Sequence, residues 1–132
     1  SLPRPSPPAQ QIGTSGNRRN TLQWSKPDIG YVAGYRVWRA SQGASYLSGD
    51  FKIVETILNP DQLEYDDYEV INGKTYVYFI TTLDIFGRES PNPIEDGFFE
   101  YRLLNLTPND SNQLMFPENV ETLIGGFDVT IT

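Results

Sequence analysis

The densest group of chemically competent side chains is acidic: Asp61, Glu64, Asp66, Asp67 and Glu69 crowd into one short stretch. Calcium takes about six to eight oxygens, and a calcium loop alternates its acids around a central glycine. Residues 61–69 contain no glycine, so the stretch predicts no metal site. Asp67 reads instead as a turn residue whose carboxylate bonds nearby backbone. Glu55, Glu64 and Asp66 are the candidates for a glycosidase pair, which needs two carboxyls roughly 5–10 Å apart in a cleft. The chain has no histidine and no cysteine, which removes the usual general base, thiolate nucleophiles, Ser-His-Asp arrangements and cysteine metal sites. Carboxylates, Lys, Tyr and Ser remain, and no motif organises them. The reading is a chain without catalytic residues, cofactor or metal.

Composition points the same way. The 132 residues carry 17 acids against 10 bases, for a net charge of −7 and a pI near 4.4. Nucleic-acid binding draws on clustered positive charge, so no nucleic-acid partner is expected. No apolar stretch approaches the ~20 residues of a membrane helix, so no membrane insertion is expected. No basic-plus-apolar leader opens the sequence, so an export signal is absent or already removed. Charge is uneven: residues 1–39 carry +5, residues 40–102 carry −8 and residues 103–132 carry −4. Such polarity steers contacts between copies or with neighbours.

The elements that would position these side chains are strands. Thr21–Trp24, Tyr35–Arg39, Phe51–Ile57, Tyr76–Leu83 and Phe98–Leu103 are short runs, alternating or rich in β-branched and aromatic residues. Turn residues separate them, and no window supports an amphipathic helix. Runs of this length and spacing predict an all-β antiparallel sandwich. Asn72-Gly73 marks a tight turn before the Tyr76 strand. Four prolines near the start make residues 1–12 a Pro-rich linker or a first edge strand. A Gly125-Gly126 break precedes Phe127-Asp128-Val129-Thr130-Ile131, whose alternation predicts a terminal strand. Asn105-Leu106-Thr107 and Asn109-Asp110-Ser111 match glycosylation acceptors.

Leu22-Gln23-Trp24-Ser25-Lys26-Pro27 followed by Gly34-Tyr35-Arg36-Val37-Trp38-Arg39 resembles the opening of a fibronectin type III domain. Tyr65-x-Asp67-x-x-Val70-x-x-Gly73-x-x-Tyr76-x-Tyr78 and Asp84-x-x-Gly87-Arg88-Glu89-Ser90-Pro91 continue the resemblance in order, most closely to bacterial and bacteriophage members. It covers roughly residues 5–102. The resemblance implies an immunoglobulin-like sandwich over residues 13–102, with a β-containing extension over 103–132. It also implies Trp24 in the core, and a tyrosine corner in which the Tyr76 hydroxyl reaches upstream backbone.

If Tyr76, Tyr78 and Ile80 face the core, then Val77, Phe79 and Leu83 face outward. Tyr35 and Val37 then face in, leaving Arg36 and Trp38 outside. Trp38, Val77 and Phe79 are therefore expected as an exposed apolar patch, a partner surface unless the tail covers it. Phe127, Val129 and Ile131 are the candidates for strand exchange. The functional expectation is a non-catalytic structural or protein-interaction module of a larger extracellular, cell-surface or virion assembly, such as a phage tail, baseplate or head surface. Its partners would be copies of itself or neighbouring subunits. The alternative is an accessory carbohydrate-binding module of a secreted polysaccharide-active enzyme, gripping sugar through Tyr31, Trp38, Tyr46 and Tyr68.

Overall fold

The computed structural model describes residues 2–41, 50–92, 103–108 and 121–123. Eight strands lie in them: β1 (Ile12–Gly16), β2 (Arg19–Gln23), β3 (Val32–Ser41), β4 (Lys52–Ile57), β5 (Glu64–Asp67), β6 (Tyr76–Asp84), β7 (Leu104–Leu106) and β8 (Glu121–Leu123). They form two antiparallel four-stranded sheets, ordered β5-β2-β1-β8 and β4-β3-β6-β7. The all-β sandwich is as expected.

Four of the expected strands appear with shifted ends, as β2, β3, β4 and β6. Their β-branched and aromatic residues fit a pleated surface buried on one side. Of the expected Phe98–Leu103 strand, Phe98–Arg102 lie outside the described residues, as does Phe127–Ile131. The core between the sheets holds Leu22, Trp24, Tyr35, Val37, Ile57, Tyr76, Tyr78, Ile80, Leu104 and Leu106. The inward parity of β3 and β6 is therefore as predicted. Trp24 is 4% exposed and packs on Tyr35 with ring centroids 5.3 Å apart. The Tyr76 hydroxyl accepts the Ile71 N–H at 2.9 Å, which is the expected tyrosine corner.

The boundary expected at residue 102 does not end the sandwich. Leu104 and Leu106 are fully buried, and β7 pairs with β6 from Tyr76↔Leu106 to Tyr78↔Leu104. The first twelve residues also differ from a linker or a regular edge strand. Pro5, Pro8 and Gln11 are buried. The Gln11 carboxamide accepts the Ile80 N–H at 3.2 Å and donates to the Ile80 carbonyl at 3.0 Å. One side chain thus completes the edge of β6 where β7 has ended.

Asp67 is more than a turn residue. It does accept the Glu69 N–H at 3.1 Å, but it is 1% exposed and central to a buried network. Arg39 contacts both its oxygens at 2.8 and 3.0 Å, and the Tyr78 hydroxyl donates to it at 2.7 Å. Asn20 completes the set by donating to the Tyr78 oxygen at 2.9 Å. Burial first, then the Asp67 charge, holds the Tyr78 hydroxyl far above the ordinary phenol range. The network ties β5 and β2 in one sheet to β3 and β6 in the other.

Candidate functional site

The outer face of the second sheet is built by the residues of β3 and β6 that the core does not take. Directly opposed pairs there are Ala40↔Val77, Trp38↔Phe79 and Arg36↔Thr81. Trp38 stacks on Phe79 with centroids 5.4 Å apart and planes 13° apart, and Phe51 tilts against Phe79 at 5.0 Å. The Trp38 indole N–H donates to both Thr81 and Glu89 at 3.2 Å. Thr81 donates to Glu89 at 2.6 Å, and Arg36 pairs with the other Glu89 oxygen at 2.6 Å. A half-buried carboxylate with three donors orients the indole against the ring beneath it.

This geometry corrects the expected exposed patch. Val77 is 5% and Phe79 4% exposed, so both point outward from the sheet yet are covered. Trp38 is half-buried, and Ile53 opposite it on β4 is exposed. Period-two alternation fixes which side a residue takes; it carries no information on what lies over that side.

A second cluster forms at one end of the sandwich, where β6 turns. Asp84 is buried and accepts the Phe86 N–H, the Arg88 N–H and the Arg88 guanidinium at 2.9, 2.9 and 2.7 Å. Gly87 takes φ +81°, which closes the turn without a Cβ penalty. Ile85 and Phe86 are thereby lifted into solvent, 63% and 57% exposed. Tyr31 lies against Phe86 at 6.0 Å, tilted by 52°. Arg88 stands over the Phe86 ring at 5.3 Å and donates to the Leu2 and Pro3 carbonyls. The Tyr31 hydroxyl also donates to Pro3, at 3.0 Å.

Burial works to raise the Asp84 pKa, but the Arg88 and Phe86 amides and the Arg88 guanidinium outweigh it and hold the carboxyl below its ordinary value. The unfolded chain then takes up the proton first as pH falls. The turn's contribution is complete above the ordinary aspartate value and disappears as pH drops through the lowered one. Between about pH 5 and about pH 2 the thermal midpoint of the wild type should fall further than that of Asp84→Asn. Parallel declines in the two proteins would contradict this.

Trp38 and Phe79 are brought together, but the described aromatics expected to grip sugar are not. Trp38 sits mid-sheet, Tyr31 at the end bearing Phe86, and Tyr68, exposed, beyond the far end of β5. Tyr46, Phe127, Val129 and Ile131 lie outside the described residues. Of the candidate carboxylates, Glu64 accepts from Gln23, and Asp66 accepts from Thr21 and Tyr68. Glu55 lies exposed on β4, opposite Val37. Among the described residues no group of three or more acids is placed to hold a metal. Ile85 and Phe86 escaped the sequence reading. Their signal was two large apolar residues between Asp84 and Gly87, in a turn where small polar residues are the rule.

No family model matches the chain. Over 95 residues it is 34% identical to an amylopullulanase of Thermoanaerobacterium saccharolyticum, an alignment covering 71% of the chain and 7% of that enzyme. The chain thus spans a small fraction of the curated relatives it matches. A β-1,2-glucanase from Parabacteroides distasonis superposes with a TM-score of 0.63 at 20% identity, over 85% of this chain and 14% of the glucanase. The third fibronectin III domain of human KIAA0343 protein superposes at 0.55 and 18% identity, over 84% of this chain and 87% of that domain. Two antiparallel sheets, a core tryptophan, a tyrosine corner and these likenesses identify the chain as a member of the fibronectin type III-like fold.

Proposed function

We propose that this chain is a non-catalytic accessory module of a larger, secreted polysaccharide-active enzyme. One observation carries the reading: a 34% identical counterpart lies within an amylopullulanase of which it makes up only 7%. The sandwich supports it physically, because its interior is filled and the carboxylates of Glu64, Asp66, Asp67, Asp84 and Glu89 are engaged by amides, hydroxyls or cations rather than paired across a cleft. The virion setting draws no support from these relatives. An extracellular or cell-surface location follows from the proposed enzyme.

Within that role, the exposed Phe86 ring beside half-buried Tyr31 favours contact with glucan. Sugar rings present C–H faces that pack on aromatic rings, and the solvent-facing Phe86 ring stands beside Tyr31 and the Arg88 guanidinium. Affinity electrophoresis through gels containing pullulan or amylopectin tests this. The wild-type chain should be retarded, and Phe86→Ala should migrate freely while keeping its thermal midpoint. Equal mobility of wild type with and without polysaccharide would reject the sugar contact and leave a spacing module that docks protein.

A further inference from the structure

The two lateral sides of the sandwich are protected in different ways. On one side the edge strands are β4 and β5, and both are charged: Lys52 and Glu55 on β4, Glu64 and Asp66 on β5. Charges on an edge deter pairing with another chain. On the other side lies β1, whose sequence Ile-Gly-Thr-Ser-Gly contains no charge at all. Among the described residues only β8 shields that edge, through three antiparallel pairs, Ile12↔Leu123, Gly13↔Thr122 and Thr14↔Glu121. A three-residue strand is a short, weakly held guard. Residues 107–120 separate it from β7, a connection that extends to on the order of 40 Å.

We propose that β8 is an exchangeable strand, closing the β1 edge of its own sandwich in a single copy and that of a second copy in a pair. The occupant follows from the chain itself. An uncharged strand edge accepts an extended segment through main-chain hydrogen bonds, and Glu121–Leu123 is the segment already in register with it. A second copy offers that same segment with the same pairs, so the exchanged form differs from the closed one mainly in the path of the connection. Such swaps are a low-cost route to dimers. The inference stands independently of the sugar contact proposed above.

The absence of cysteine makes the test clean, because Thr14 and Glu121 stand directly opposite each other. Thr14→Cys and Glu121→Cys chains, unfolded together, refolded at high concentration and oxidised, should yield a two-chain product. Peptide mapping should find the link between positions 14 and 121. The double variant at low concentration should close the same link within one chain. Failure of the mixed single variants to form that link, while the double variant closes internally, would overturn exchange; failure of both would overturn the pairing itself. Wild-type chain refolded across a concentration range gives a second readout by light scattering. A discrete species of twice the 14.9 kDa mass should grow with concentration, and its absence throughout counts against the proposal.

Discussion

Trp24→Ala is expected to lower folding stability by about 3–5 kcal/mol, the usual cost of emptying a buried aromatic site. Trp24 is almost wholly buried between the sheets and leans on Tyr35. Among the described residues the buried indole N–H meets no hydrogen-bond partner, so Trp24→Phe keeps much of the packing and removes an unmatched donor. It should lose far less than the alanine variant. Trp38→Ala, at a half-buried outer position, should cost roughly half as much as Trp24→Ala. Urea unfolding of the three variants checks the order, and a Trp38→Ala loss equal to that of Trp24→Ala would contradict it.

The second large effect is expected at Asp67. Removing one partner of a buried ion pair costs about 3–5 kcal/mol, because the other charge stays desolvated. The Arg39 side chain keeps 22% exposure, and water reaching it places Asp67→Ala at the lower end, about 3 kcal/mol. The Tyr78 hydroxyl, fully buried, loses its acceptor in the same variant. A double-mutant cycle with Arg39→Ala should therefore give strong coupling. Additive losses, or a loss below about 1 kcal/mol for Asp67→Ala, would show that the network is structurally present but energetically idle.

These two positions mark how far the fold was legible in advance. Trp24 follows an alternating run and matches a recognisable pattern, so its burial could be read directly. Asp67 belongs to Glu-Tyr-Asp-Asp, which as a string looks like a solvated acidic run rather than a strand. It becomes β5 because Tyr65 packs inward and Asp67 meets Arg39, a partner 28 positions away. Strand β1 was equally opaque, since Gly13, Ser15 and Gly16 have poor strand propensity. A Cβ at Gly13 would come within 2.5 Å of the Leu106 side chain, which belongs to β7. Such close approach is set by tertiary packing, and single-strand patterns do not contain it. The candidate site divides the same way. Parity placed Trp38, Val77 and Phe79 on the outer face, but their cover and the meeting of Tyr31 with Phe86 depend on segments far apart in sequence.

The fastening of residues 2–11 has a mechanical meaning. Tension applied through the N-terminal segment does not first straighten a slack tether. It loads the Arg88 bonds to Leu2 and Pro3, then the bond from Arg4 to the Glu89 carbonyl, then the Gln11 clasp on Ile80. These anchors are spread along β6 and the turn that follows it, so a pull is shared between side chains before β1 is stressed. The segment therefore acts as a stiff mount, and compliance between this module and anything joined ahead of it resides outside these ten residues.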